Sequence, residues 1–308
     1  MKRWFAAIAA AVFVISGCSA GSGGAGKVFR YGAPTYAETK ILAYMSTALV
    51  EANTECKGQA VVGLGSSPTV DQAVQAGELD ALTGWTGGAV GLQHPKLKDS
   101  VDVKDSRWKD QSYLFNWVKE NQEKKLGRTW LDPLGYENTY AVSVRRTFAE
   151  ENGLKTISDL AKLDTTKLVI GMDDYYITRE NDGYEALLQT YGMKRFQREF
   201  QMNINLLYQA LRDEQVDVGV AYSTDARIAS FDLVWLEDDK KLYLPFDAAI
   251  VVTFDVEKRC PGAMKALSQL SGKFTVDEMR RLNGEVDLKQ REPEEVAKEW
   301  LRQKGLLK

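Results

Sequence analysis

Short apolar runs and amphipathic stretches alternate along this chain. Residues 27–31 read as a strand closed by Gly32 and Pro34. Across 38–52 the apolar residues Ile41, Leu42, Met45, Ala48 and Leu49 fall at helical spacing. A second strand, 59–64, ends in Gly65, Ser66, Ser67 and Pro68, and a helix follows through Gln75 with Ser67 as N-cap and Pro68 at its first position. Gly77 stops that helix, and residues 79–82 form a third strand that ends at Trp85. Strand, helix, strand, helix, strand predicts an α/β fold with a parallel sheet and crossover helices.

The pattern then restarts. Residues 110–125 make a charged helix whose stripe of Tyr113, Leu114, Trp117 and Val118 is core rather than an aromatic box. After a strand beginning at Tyr140 come a short helix from Ser158, a strand at 168–171, helices at 180–191 and 205–213, and a strand at 216–222. Strands starting at Tyr140 and ending at Tyr222 bracket this second unit, out and back, which predicts two lobes joined by a double hinge. The expected division is 27–139 with 226–308 for the first lobe and 140–225 for the second. Helices at 261–270, 275–282 and 293–304 complete the first lobe.

The ends and the charge narrow the class. Lys2 and Arg3 precede an apolar run from Trp4 to Ile15, too short for the roughly 20 residues of a membrane span, so residues 1–17 read as a secretory signal. Ile15-Ser16-Gly17-Cys18 resembles a bacterial lipobox, which implies cleavage before Cys18, lipidation of that cysteine and a flexible tether over 18–26. The expected location is the outer face of a bacterial membrane, anchored by lipid alone. The 308-residue chain is 44% hydrophobic and 27% charged, ordinary for a folded protein. Its formal charge of −3 becomes two units more negative without the leader, and no basic block marks a nucleic-acid partner. Cys56 and Cys260 lie in a compartment that permits a disulfide, and sequence leaves open whether they meet. The single histidine, His94, reads as a solvated loop residue. Neither a metal nor a cofactor is expected.

Four aromatics sit where a strand-like run meets a turn: Trp85, Tyr140, Tyr222 and Phe246. Ligands of open α/β sheets bind beyond strand ends, so these rings are placed to converge. Ring faces suit a quaternary ammonium, which has no N–H to donate, and each desolvated face contributes about 2 kcal/mol. Donors for a ligand's other end are Ser66, Ser67 and Thr69 around a helix N-terminus, with Thr86, Asn138 and Thr139. Loss of Trp85 or Tyr140 is expected to weaken binding with little change in stability. A rival reading from another class, a secreted hydrolase with Asp173 and Asp225 as paired carboxylates, lacks a nucleophile elbow, a metal cluster or a phosphate loop.

The segments TWLDPLGYENTYAVSVR, LKTISDLAKL, VDVGVAYSTDARI, LVWLEDDKKLYLPFDAAIVV, LNGEVDL and PEEVAKEWLRQKGL, in this order, resemble the substrate-binding proteins of osmoprotectant ABC importers for glycine betaine, carnitine and choline. The resemblance runs from Arg30 to the end. It implies a two-lobe periplasmic-binding-protein fold of type II, a permease with its ATPase as partners, and no enzymatic activity. Family cage positions match Tyr140, Tyr222 and, with Phe for the usual Tyr, Phe246. The usual Glu-Tyr-Thr-Gly reads Gly84-Trp85-Thr86-Gly87, the usual Gln of the first helix is matched by Thr39, and a Gly-Gly-Thr turn by Gly65-Ser66-Ser67. The turn bearing Asp173, Asp174, Tyr175, Tyr176 and Arg179 is also one the family brings to the cleft, with the aspartates expected to be solvated. These departures leave the ligand open among glycine betaine, carnitine, choline and a cationic amine or amino-acid derivative to which the site has been retuned.

Overall fold

The computed structural model describes residues 27–91 and 105–308; the leader, Cys18, the tether and His94 lie outside them. Its strands are β1 (Val28–Ala33), β2 (Lys57–Val62), β3 (Ala81–Trp85), β4 (Arg128–Trp130), β5 (Tyr140–Arg145), β6 (Val169–Met172), β7 (Arg198–Gln201), β8 (Val218–Tyr222), β9 (Leu233–Trp235) and β10 (Ala248–Thr253). They form two five-stranded sheets, ordered β2-β1-β3-β10-β4 and β7-β6-β8-β5-β9. Each sheet is the floor of one lobe.

The parallel sheet expected from the βαβ rhythm holds for β2-β1-β3 and β7-β6-β8 and fails beyond them. β10 runs antiparallel to β3 and β4, and β5 antiparallel to β8 and β9. The reason is connectivity. β5 and β10 enter their sheets from the hinge, the end at which the βαβ strands finish, so they run the other way.

The first lobe packs around the helix Ala37–Asn53, whose Ile41, Leu42, Met45, Leu49 and Val50 are fully buried against β1 and the helix Pro293–Gln303. Each such side chain contributes about 1.5–3 kcal/mol relative to exposure. Trp300 stacks on Phe274 with centroids 4.5 Å apart, closing the same core. Cys56 and Cys260 do meet: a disulfide joins the entry to β2 with the turn after the helix Asp255–Arg259, Cα to Cα 5.8 Å. The second lobe's core gathers Val142, Val144, Ile170, Met172, Val218 and Val220 with Tyr176, Tyr184 and Tyr191.

The return crossing falls later than expected. Leu233–Trp235 pairs with β5, and Ile228 and Leu233 are buried with Leu207 and Leu211, so the chain after Asp225 stays with the second lobe through β9. A three-residue strand carries too short an alternation to be read. Leu236 and Tyr243 are still in the second lobe's core, and Leu134 and Tyr136 in the first lobe's, so the two crossings run side by side near Asn138 and Phe246. They hydrogen-bond to each other: Asn138 N–H donates to Phe246 O at 3.0 Å, Ala248 N–H to Tyr136 O at 3.2 Å, and Glu137 bridges Asp247.

Candidate ligand-binding cleft

Strand register brings the rings together. Tyr140 begins β5 and Tyr222 ends β8, and the two are direct cross-strand partners. Their ring centroids lie 5.3 Å apart. On the other sheet Trp85 ends β3 opposite Ala248, two residues after Phe246. Two aromatic pairs therefore stand at facing strand ends across the hinge, where successive strand termini leave a crevice. Gly87 lets Phe246 approach: a Cβ there would lie 2.6 Å from its ring.

A cavity of about 410 Å³ opens between the lobes. Of the residues singled out in the sequence, Trp85, Tyr140, Tyr222, Phe246, Asn138, Ser66, Ser67, Thr39 and Arg179 line it. Thr86 does not: its buried hydroxyl donates to Pro245 O at 2.9 Å and accepts from Asp247 N–H at 3.0 Å, tying β3 to the return crossing. The N-cap of the helix Ser67–Gln75 is Ser66 rather than Ser67, which places Pro68 one position further in. Thr39 turns its hydroxyl back onto Tyr36 O at 2.9 Å.

The rings differ in access. Tyr140 and Phe246 are 5% and 6% exposed and belong to the second lobe's core. Tyr140 also packs against Tyr176 at 4.9 Å and Tyr243 at 5.6 Å. The Arg179 guanidinium lies over both faces, 5.4 Å from the Tyr140 centroid and 5.9 Å from that of Phe246, while Asp182 holds it at 2.6 and 2.5 Å. Trp85 and Tyr222 are half-buried and present open surface. So does Tyr36, a fifth ring edge-on to Tyr222 at 6.0 Å, which has no apolar run beside it to mark it in sequence. The indole N–H of Trp85 is buried without a hydrogen-bond partner.

The acidic side chains are more structured than sequence suggested. Asp173 is not simply solvated: one oxygen caps the helix Asp174–Ile177 through Tyr176 N–H at 2.6 Å, and the other accepts the Tyr222 hydroxyl at 2.9 Å. Asp225 accepts the backbone N–H and the Nε of Arg227 at 2.9 and 2.8 Å, with a further Nη2 contact. A carboxylate so engaged is no general base, and Asp173 is not in the cavity wall.

The residue most clearly missed is Glu38, in the first turn of the first helix and 4% exposed in the cavity wall. It accepts the Tyr136 hydroxyl at 2.9 Å and the Asn138 amide at 3.1 Å on Oε1, and the Asn283 amide at 3.2 Å on Oε2. Burial raises its pKa, against the pull of hydrogen bonds from Thr224, Tyr136, Asn283 and Asn138. Burial, then the neighbouring Glu38 charge, keeps the Tyr136 phenol protonated and hence a donor. At the rim, Asp287 has a carboxyl pushed up to about 6, first by the surrounding protein and then by Asp225 and Glu38, against Arg227 and Lys40.

Two α/β lobes on a paired hinge with a ring-lined cleft between them define a bilobal solute receptor of the periplasmic-binding-protein type. Residues 29–303 match the family described as the substrate-binding domain of ABC-type glycine betaine transport systems, and the chain belongs to that family. It is 35% identical over 309 residues to the carnitine transport binding protein OpuCC of Listeria monocytogenes, covering 98% of this chain and 97% of that one. It is 30% identical to a glycine-betaine-binding protein of Pseudomonas aeruginosa over 91% of this chain and 89% of that one. Among solved structures, one titled as a glycine betaine/carnitine/choline ABC transporter superimposes with a TM-score of 0.74 at 32% identity, over 90% of this chain and 99% of the other.

Proposed function

We propose that this protein captures a quaternary-ammonium compatible solute, of the glycine betaine, carnitine and choline class, and delivers it to an ABC permease driven by its ATPase. One observation carries the reading: rings from both lobes, Trp85, Tyr36, Tyr140, Tyr222 and Phe246, line one cleft at the hinge. A methylated cation gains quadrupole attraction and apolar contact from such faces together. Arg179 already lies over two of them, so those faces accept a delocalised cation; Trp85 and Tyr222 are half-buried and offer open surface to a ligand. The lipobox-like segment before Cys18 and the small-residue tether support lipid anchoring on the outer face of the membrane. Support for binding without turnover comes from the family and from the engaged state of Asp173 and Asp225.

Calorimetric titration with choline, glycine betaine and carnitine tests this. At least one is expected to bind and be recovered unchanged. Absence of binding by all three, or affinity unaltered in Trp85→Ala and Tyr222→Ala, rejects the cage.

A further inference from the structure

Charge pairing in the cleft goes further than the rings. Five ionisable acidic or basic side chains line it: Glu38, Arg179, Asp225, Arg227 and Asp287. Both guanidiniums are already matched. Arg179 is held by Asp182 through two hydrogen bonds. Arg227 gives Nε and Nη2 to Asp225 and Nη1 to Asn205. Once these pairs are set aside, Glu38 and Asp287 remain, neither with an ion pair among the described residues, and no cation in the wall is left over for a ligand carboxylate. Lys40 lies outside the lining.

Neutral donors are few as well: the Trp85 indole N–H is the one buried side-chain donor of the wall without a partner among the described residues. The helix Ser67–Gln75 turns its N-terminus to the cavity, yet Thr69 and Val70 N–H both donate to Ser66 O, at 3.1 and 3.2 Å, and Pro68 has no N–H. The Ser66 and Thr69 hydroxyls pair with each other at 3.1 Å, and Thr39 donates to Tyr36 O. The first helix places Glu38 itself at its positive end. The amides of Asn138 and Asn283 point their N–H groups at Glu38, and their buried Oδ1 atoms, acceptors, have no partner. Two carboxylates without an ion pair and two unpartnered amide oxygens, set against the single Trp85 N–H, fit a cation and repel an anion.

Resting on the reading above that the cleft takes a quaternary ammonium, we propose that it selects ligands of net positive charge, trimethylammonium alcohols of the choline class, over zwitterionic betaines. Glu38 supplies the buried counter-charge and Asp287 a second one at the rim.

The test is a side-by-side titration of the unmodified protein with choline, glycine betaine and carnitine at neutral pH. Choline is expected to bind at least tenfold more tightly than either zwitterion. Equal or tighter binding of a zwitterion overturns the selectivity while leaving the cage standing; silence from all three removes both. Glu38→Gln is expected to lower choline affinity at least tenfold and to narrow its advantage over glycine betaine, and Asp287→Asn to do the same to a smaller degree. If Glu38→Gln weakens every ligand by the same factor, Glu38 is a structural residue and the proposal falls. Should that variant not fold, the comparison on the unmodified protein and the exposed Asp287→Asn variant decide.

Discussion

Trp85 and Tyr140 stand at matching strand–turn junctions, but their surroundings separate them. Trp85 is half-buried at the end of β3, so Trp85→Ala should weaken ligand binding at least tenfold with a small change in melting temperature. Tyr140 is packed by four rings and a guanidinium, so Tyr140→Ala removes core as well and should destabilise the unliganded protein by about 3–5 kcal/mol. Chemical denaturation of the two variants without ligand checks the difference. The aromatic junctions were legible because each sits where an apolar run meets a turn. Glu38 was not, because one acidic residue in a helix's first turn looks like ordinary dipole compensation until Tyr136, Asn138 and Asn283 converge on it from elsewhere in the chain. Asp287 gives a pH signature. Cation binding favours its ionised form, so choline affinity should decline as pH falls through about 6, and Asp287→Asn should flatten that decline.

At the level of elements, what sequence conveyed well were helices with a sustained apolar stripe and strands buried on both faces. The helices Ala37–Asn53 and Pro293–Gln303 and the strands β5 and β8 fall within a few residues of where they were expected. β7 and β9 did not stand out. β7 is a polar edge strand exposed along most of its length, and β9 is three residues long, so neither has a period to read. The Cys56–Cys260 bridge was undecidable for another reason: 204 residues separate its ends, and only the fold brings them together. Closing so long a loop stabilises chiefly through the unfolded chain, by about 2–4 kcal/mol in typical cases. Reduction, or Cys260→Ser with Cys56→Ser, is therefore expected to lower the melting temperature while ligand affinity stays within twofold, since the bridge lies within the first lobe's core rather than in the cleft wall.

For the molecule as a whole, contacts between lobes decide how closure is held. Arg280, on the first-lobe helix Val276–Asp287, donates to Ser223 O at 2.8 Å and lies 4.2 Å over the half-exposed ring of Trp235 in β9. A guanidinium–carbonyl bond contributes about 1.5–3 kcal/mol and an exposed ring face about 0.5–1. Arg280→Ala should thus shift the balance toward the open form and speed ligand release several-fold, with association little changed, as stopped-flow fluorescence would read. Two lobes could be inferred from strands that leave and return, whereas the point of return could not, because β9 belongs to the second sheet by pairing rather than by pattern. The crossing segments are bonded edge to edge as one narrow ribbon, through Asn138 to Phe246, Tyr136 to Ala248 and Glu137 to Asp247. A ribbon twists and flexes as a unit where two loose threads would swing separately. Capture of a solute and its surrender at the membrane must then follow a single shared coordinate, so any substitution that stiffens the ribbon should slow arrival and departure together.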